Sequence, residues 1–335
     1  MKNSVKILSF LSLLALSLIL FWSLSNSSQE NTHYDRLYLS EPLSTSNQEL
    51  ITPIPETLNL NTQKVHLGEQ LFHDKNLSHD NTLSCAFCHN VKKGGGDGLA
   101  QPVTASLQKK NLPNHTVFNS PTIFNVGFNF VQGWEGKTKN LEQQTAIPLF
   151  NPFEMGNKNW SKILNYLNQT PHYKQQFQSI YASAISSEQV IDVISEFKRS
   201  LTTPNSPFDL YLKGQLDSLT HYELEGYQLF KKRGCISCHN GVNIGGNLFQ
   251  KAGIFTPMHP QSEHSPQLFK VPTLRNIALT APYFHDGSVD NLKEAINLMA
   301  KHQLQLELPT DENKKILAFL QTLTGQYQNQ TLSYE

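Results

Sequence analysis

Two short stretches decide the fold: Cys85-Ala-Phe-Cys88-His89 and Cys235-Ile-Ser-Cys238-His239. In each of them, two cysteines three positions apart are followed directly by a histidine. This pattern is typical of covalent haem attachment, because both thiols can form thioethers to the porphyrin and the histidine can then bind the iron. A zinc site or a pair of local disulfides is the alternative, and a histidine after both pairs disfavours it. The sequence therefore predicts two c-type haems.

The sequence around the two motifs is repeated. Gly68-x-x-Leu71-Phe72 precedes the first motif, and Gly226-x-x-Leu229-Phe230 precedes the second. The proline-rich residues 202–207 lie between the two copies and mark a natural domain boundary. We predict a mainly α protein with two cytochrome c-like haem domains and long loops. Residues 51–202 would form the N-terminal haem domain, and residues 203–335 the C-terminal haem domain.

Helical patterns support the α class. Ser186 and Gln189 form a capping-box pattern ahead of an apolar stripe that runs to Leu201. Thr310 is the predicted cap of a last helix, with Gly325 just beyond its end. Weaker helical patterns cover residues 65–73, 160–167, 221–232 and 291–301. Residues 90–125 and 240–270 are long loops, which indicates that a large cofactor organises them.

The first 25 residues have the features of an export signal. Lys2 and Lys6 precede an apolar run without charges over residues 7–24. The run is just long enough to span a membrane, so both a cleaved signal peptide and an uncleaved anchor stay open. A polar tether, residues 26–50, follows. We expect a periplasmic protein that is soluble or tethered to the inner membrane.

Composition excludes several classes of protein. The 335 residues include 27 Lys plus Arg and 27 Asp plus Glu, and 38% are hydrophobic. A hydrophobic content of this size supports a folded core. A net charge of zero argues against nucleic acid as the main partner, because such binding depends on a cationic surface. Four cysteines in a chain of this length are too few for a disulfide scaffold.

Further motifs show that the chain resembles the bacterial diheme cytochrome c peroxidases over residues 51–325. The runs that carry the resemblance are Asp97-Gly-Leu99, Asn119-Ser-Pro-Thr122, Trp134-Glu-Gly136, Asn151-Pro-Phe-Glu-Met-Gly156, Thr203-Pro-Asn-Ser-Pro-Phe208, Phe269-Lys-Val-Pro-Thr-Leu-Arg-Asn276 and Pro282-Tyr-Phe-His-Asp-Gly287. The resemblance implies an exported peroxidase that reduces hydrogen peroxide with electrons from a small cytochrome c or copper protein. A homodimer is a further expectation.

The resemblance assigns roles to four residues. Met299 would be the methionine ligand of the C-terminal haem. Without the resemblance, a methionine on this predicted helix would be expected to fill space in the hydrophobic core. Trp134 would lie between the haems, and Gln144 and Glu154 beside the iron that binds peroxide. Splitting a peroxide bond needs a nearby acid and base, and the apolar residues around Glu154 would raise its pKa toward working pH.

A calcium ion is also implied by the resemblance. Asn119, Thr280 and Pro282 match calcium ligands of the family, the last two through their backbone carbonyls. A set of oxygen ligands without a soft donor suits a hard cation.

The chain departs from the family where other members close the N-terminal haem. Many members have a histidine ligand about sixteen residues after the first motif, and Ala105 stands there. The N-terminal iron is therefore expected to be open, with His115 as the reserve ligand. Gly133 replaces a usual aromatic residue, Glu135 a usual aspartate and Lys137 a usual arginine.

Two other functions stay open. One is a related diheme oxidase that acts on a protein or organic substrate, but that branch has a tyrosine where this chain has Met299. The other is an electron carrier without catalysis, which an open iron beside Glu154 disfavours.

Overall fold

The computed structural model describes residues 49–102, 118–258 and 268–333. In this part of the chain the fold is mainly helical, as predicted. The helices are α1 (Thr62–His73), α2 (Cys85–Cys88), α3 (Leu141–Phe150), α4 (Ser161–Gln169), α5 (Pro171–Tyr181), α6 (Ser187–Ser200), α7 (Pro207–Leu212), α8 (His221–Lys232), α9 (Leu292–Leu304) and α10 (Thr310–Gln321). Strand β1 (Phe249–Gln250) pairs antiparallel with β2 (Phe269–Lys270), and β3 (Gln326–Tyr327) with β4 (Gln330–Thr331).

The predicted export signal, residues 1–25, lies outside the described residues. None of the helices that the structure does describe is long and apolar enough to cross a membrane.

Two crossed helix pairs form the frame: α1 packs on α6, and α8 packs on α10. The glycine of each sequence repeat lies at one of these crossings. A Cβ on Gly68 would come within 1.9 Å of the Val193 carbonyl oxygen, and a Cβ on Gly226 within 2.0 Å of the Lys315 carbonyl oxygen. Only glycine allows the backbones to approach this closely. The repeat found in the sequence is therefore a repeat of structure.

The core around each pair is apolar and includes packed aromatic rings. In the first half, Phe72 packs on Phe197 with 5.2 Å between ring centroids, and helices α4 and α5 cover the α1–α6 pair with Ile163, Leu167 and Phe177. In the second half, Phe208, Tyr227, Phe230 and Phe319 pack together, and the Phe230 and Phe319 ring centroids are also 5.2 Å apart. These phenylalanine pairs hold the crossings together.

A buried asparagine in each half ties the two halves to one threonine. Asn125 and Asn276 both have left-handed φ angles, 60° and 61°, and their backbone N–H groups donate to the carbonyls of Leu201 and Leu323. Both side-chain amides donate to Thr203 Oγ1, at 2.8 and 3.0 Å. Thr203 belongs to the predicted boundary segment, and it is 1% exposed. The segment thus joins the two halves through buried hydrogen bonds, while a domain boundary there stays a prediction.

Some helix ends differ from the prediction. The capping box of Ser186 and Gln189 is present at the start of α6. The prediction that Thr310 caps the last helix was wrong, because Thr310 is the first residue of α10 and Pro309 occupies the cap. Gly325 does not end this helix either, since α10 ends at Gln321. It instead allows a close approach, because a Cβ there would lie 2.0 Å from the Thr203 carbonyl oxygen.

Candidate haem and peroxide site

Both Cys-x-x-Cys-His motifs line one cavity of about 880 Å³. All four cysteine thiols are free of disulfide bonds, and all four residues line the cavity. Burial raises the pKa of the Cys85 and Cys235 thiols to about 11 and that of Cys88 to about 12. Unpaired thiols on the wall of a large cavity fit covalent attachment of haem at each motif.

The two motif histidines are held in the same way. The backbone N–H of His89 donates to the Cys85 carbonyl and that of His239 to the Cys235 carbonyl, both at 3.0 Å. Nδ1 of His89 lies 3.4 Å from the Gly95 carbonyl oxygen, and Nδ1 of His239 lies 3.4 Å from the corresponding oxygen of Ile244. When Nδ1 carries the proton and donates it there, Nε2 is left as the ligand atom.

Both imidazoles are kept neutral. Burial lowers the pKa of His89 and of His239 to about 4. The nearby Lys198 cation lowers the pKa of His89 further. A neutral imidazole is the form that binds iron, so the residues present suit proximal ligation at both sites.

Helix α3 brings Gln144 to the first site. Its N-cap is Asn140, whose side chain accepts a hydrogen bond from the Gln143 N–H. Gln144 lines the cavity, and its Oε1 accepts a hydrogen bond from the Thr138 hydroxyl at 2.9 Å. Pro148 lines the cavity one turn further along α3. Its ring offers no ligand atom to a metal.

Glu154 follows α3 in a turn. Its Oε1 accepts a hydrogen bond from Asn151 Nδ2 at 2.7 Å, and its exposed surface faces the cavity. Burial against the protein raises the pKa of this carboxyl, and the bond from Asn151 partly opposes the rise. The charge of Glu154 in turn contributes to the raised pKa of the Cys85 and Cys88 thiols, which places this carboxylate near the first motif.

Helix α9 is the corresponding element of the second site. Its N-cap is Asn291, whose side chain accepts from the N–H groups of Lys293 and Glu294. Ile296 and Met299 both line the cavity. The thioether of Met299 and the imidazole of His239 thus line one cavity.

Trp134 lies at the junction of the two sites. Its indole Nε1–H donates to the Asn119 carbonyl at 2.8 Å, and its own carbonyl accepts from the Lys270 N–H at 2.8 Å. Its ring centroid is 6.5 Å from that of His285. Trp134 therefore contacts residues from both halves of the repeat.

The three expected calcium ligands line the same cavity. Asn119 is 7% exposed, and its Nδ2 lies 2.5 Å from the Pro282 carbonyl oxygen. The two ends of an amide group are exchanged by a simple flip. A flip here would turn Asn119 Oδ1 toward the same place as the Pro282 oxygen, which fits a hard cation.

Three of the family departures are described by the structure. An ideal Cβ on Gly133 would have only Gln144 Oε1 within 4 Å, at 3.8 Å, so the absent aromatic side chain leaves space beside Gln144. Glu135 and Lys137 form an ion pair with each other at 2.5 Å. Ala105 and His115 lie outside the described residues.

Two buried lysines on the cavity wall were missed by the sequence reasoning. Lys198 is 7% exposed, and its Nζ donates to Thr145 Oγ1 at 3.2 Å. Lys270 is 8% exposed and lies on β2. Lys198 follows Ile194 by one helical turn, so the apolar stripe of α6 could have placed it on the buried face. Nothing in the periodicity of residues 240–270 could have placed Lys270.

Comparison with known proteins gives one family. A family model for di-haem cytochrome c peroxidase matches residues 62–217. The chain is 40% identical over 293 residues to cytochrome c peroxidase Ccp of Escherichia coli, and the match covers 83% of this chain but 62% of that protein. It is 38% identical over 291 residues to the cytochrome c551 peroxidase of Nitrosomonas europaea, which covers 83% of this chain and 84% of that one.

Solved structures share the fold. A MauG-like protein associated with microbial copper homeostasis superposes with a TM-score of 0.69 at 26% identity, over 85% of this chain and 95% of that one. The diheme peroxidase BthA of Burkholderia thailandensis superposes with a TM-score of 0.64 at 16% identity, over 85% and 92%. With two haem motifs on one cavity and relatives of this similarity, the chain belongs to the di-haem cytochrome c peroxidase family.

Proposed function

We propose that this protein is an exported peroxidase that reduces hydrogen peroxide to water at the first haem motif. The electrons would come from a small soluble cytochrome c or copper protein. Both haems would be bound through thioethers, at Cys85 and Cys88 and at Cys235 and Cys238. The family and the peroxidase names of the relatives support this proposal.

The observation that carries the proposal is the pairing of Glu154 with Pro148, a proline at the position where the second half has Met299. Glu154 is near the first motif and faces the cavity, and Pro148 on the neighbouring helix has no ligand atom. A raised pKa suits a carboxyl that must both take and return a proton.

A haem bound at the first motif would supply an open iron position and the electrons for cleavage of the peroxide bond. The chain's own residues do the rest. His89 would hold the iron through Nε2. The Glu154 carboxylate would take a proton from one peroxide oxygen and return it to the other as the O–O bond breaks, which releases one water. Two protons from solvent and two electrons from the donor would convert the remaining oxygen to a second water. Gln144, fixed by Thr138, orients the peroxide by hydrogen bonding.

The second motif would serve electron transfer. We propose that Met299 and His239 would together hold the iron of the second haem, because Met299 is the sulfur ligand that α9 brings to the cavity. A thioether ligand raises the reduction potential of a haem and suits a site that passes electrons on. Trp134, with hydrogen bonds to residues of both halves, would lie on the electron path.

A calcium ion would be held by Asn119 Oδ1 with the carbonyls of Thr280 and Pro282. Its place beside Trp134 gives it a structural role at the junction of the two haem sites.

The proposal is tested by rapid mixing of fully oxidised protein with hydrogen peroxide, followed by turnover with a reduced small cytochrome c. We expect the first haem to react at once, without reduction of the other haem, and donor oxidation to follow. If no spectral change occurs until the second haem is reduced, a ligand such as His115 closes the site. An absence of donor oxidation under all conditions would leave an electron carrier or an oxidase of other substrates.

A further inference from the structure

The two halves of the molecule meet through a reciprocal pair of backbone hydrogen bonds. The Asn119 N–H donates to the His285 carbonyl, and the Lys270 N–H donates to the Trp134 carbonyl, both at 2.8 Å. Trp134 lies two residues after Gln132, which forms an isolated bridge with Thr138. His285 lies two residues after Tyr283, which forms the matching bridge with Val289. The two acceptors of these hydrogen bonds, Trp134 and His285, therefore occupy equivalent positions of the repeat.

The donors of this pair are equivalent as well. Asn119 lies two residues before Pro121, and Lys270 lies two residues before Pro272. The carbonyls of these two prolines both face the motif histidines, Pro121 facing His89 and Pro272 facing His239. Asn119 and Lys270 are thus counterparts in the two halves.

The counterparts differ in charge. Asn119 is neutral, and its amide lies against the Pro282 carbonyl where a calcium ion is expected. Lys270 carries a cation of its own on a side chain of similar burial, 8% exposed against 7%. The first half has the neutral Asn119, which is suited to bind a separate cation. The second half has Lys270, whose own side chain carries the positive charge.

Lys270 has no charge partner among the residues that the structure describes. Its Nζ makes no hydrogen bond or ion pair with them, whereas the other buried lysine, Lys198, donates to Thr145. The acidic residues among the described cavity lining are Glu135 and Glu154, which are already bonded to Lys137 and Asn151. Burial alone lowers the pKa of Lys270 to about 8. A buried cation is costly unless an anion or acceptors compensate it.

The missing anion has an evident chemical source. Each haem of a di-haem protein carries propionate carboxylates, and both haem motifs open on the cavity that Lys270 lines. We propose that the Lys270 ammonium binds a haem propionate at the junction of the two sites, in the position that Asn119 and the expected calcium ion occupy in the other half. The bound cation holds that haem in place and favours its reduced form, because a nearby positive charge destabilises the more positive ferric state.

Potentiometric titration of the holoprotein tests this assignment, with the two haems resolved by their spectra. Lys270→Met should lower the midpoint potential of the haem whose propionate is bound and shift the other much less. Which of the two falls identifies the haem. Lys270→Arg keeps the charge and should keep the potential near that of the wild type. Lys301→Met removes a charge from an exposed lysine outside the cavity lining and should shift neither potential.

Unchanged potentials of both haems in Lys270→Met would overturn the proposal. If that variant does not incorporate haem, Lys270→Gln provides a neutral side chain of similar length for the same titration. The propionate bending bands in resonance Raman spectra give an independent readout, since they should differ between wild type and Lys270→Arg. Identical bands in these two proteins would also contradict a lysine–propionate contact. These measurements follow potentials and vibrations, so their outcome does not depend on peroxidase turnover.

Discussion

Helices α3 and α9 are the same element of the repeat with different chemistry. Each begins after an asparagine cap, Asn140 or Asn291, and each lines the common cavity. The eighth residue after the cap is Pro148 in the first half and Met299 in the second. The proximal sides, by contrast, are closely alike, with the same distance of 3.4 Å from each histidine Nδ1 to a backbone carbonyl. The helical frame is repeated, and under the proposed function the two haem sites differ in role at this one helix position.

Pro148 offers no ligand atom, and it also changes the hydrogen bonding of helix α3. Without an N–H, Pro148 leaves the Gln144 carbonyl without its helical donor. Helix α3 ends after ten residues, and α9 continues for thirteen. The shorter helix leads into the turn that carries Glu154. Under the proposed function, the loss of a ligand and the gain of an acid–base group thus occur in one short segment.

The largest effect on activity is expected for Pro148→Met, which places a thioether in the first half at the position that Met299 occupies in the second half. We expect this variant to bind a methionine sulfur at the first iron and to lose essentially all turnover with peroxide. The spectrum of the oxidised protein should change to that of two closed haems. Pro148→Ala offers no ligand atom and is the matched control. Full activity of Pro148→Met would contradict the equivalence of the two helix positions.

Glu154→Gln removes the proposed acid–base group and leaves the shape of the first half. Turnover should fall by a factor on the order of a hundred or more, the usual scale for general acid–base catalysis. Both haems should remain bound. Glu307→Gln changes an exposed carboxylate on the surface and should have no effect. Wild-type turnover in Glu154→Gln would remove this residue from the chemistry.

The pH profile of the wild type sharpens the same prediction. Burial raises the pKa of Glu154, and the carboxylate form is needed to take the proton from peroxide. Activity should therefore fall as pH decreases through this raised pKa, above the range of an ordinary glutamate. Glu154→Gln should lack this acid limb.

The two helix crossings should respond alike to the same substitution. Gly68→Ala and Gly226→Ala would each place a methyl group about as close to a backbone carbonyl oxygen, at 1.9 and 2.0 Å. Each variant should lose about 1–3 kcal/mol in the free energy of unfolding, the usual cost of overpacking. Gly127→Ala is the control, because its nearest neighbour would be Arg199 Cα at an ordinary 3.6 Å. Chemical denaturation of the holoproteins measures all three.

Calcium removal should have the smallest effect, because the Asn119 backbone also links the two halves through its hydrogen bonds with His285 and Trp134. Exhaustive chelation is expected to lower turnover less than Glu154→Gln does, and added calcium should restore it where magnesium does not. Turnover should fall because Asn119, an expected calcium ligand, accepts the hydrogen bond of the Trp134 indole N–H through its carbonyl. Turnover that is indifferent to chelation would argue against a calcium ion at this place.

Sequence reasoning reached the fold class and the two haem motifs because short-range patterns encode them. Cysteine spacing, a capping box at Ser186 and the repeated glycines are all readable within a few residues. Helix α3 was not predicted, because Pro148 in its interior breaks the local helix pattern and only packing on α6 restores it. The end of α10 was misplaced, since Gly325 serves a contact with the distant Thr203 rather than a helix stop.

In the candidate site, too, sequence motifs predicted some residues, whereas residues placed by long-range contacts were missed. Glu154, Trp134 and Met299 were found through the family resemblance, and the structure brings each of them to the cavity. Lys270 was not found, because its burial arises from the pairing of β2 with β1 and from a hydrogen bond to Trp134 that is far away in the sequence. Contacts between the two halves are not visible in any local pattern.

The difference between the two halves is tested most directly by the electron paramagnetic resonance spectrum of the fully oxidised protein. One high-spin signal from the open haem near Pro148 and one low-spin signal from the haem closed by Met299 are predicted, in equal amounts. Two low-spin signals would contradict the account, because both irons would then be closed and the single-position difference between α3 and α9 would not set their roles.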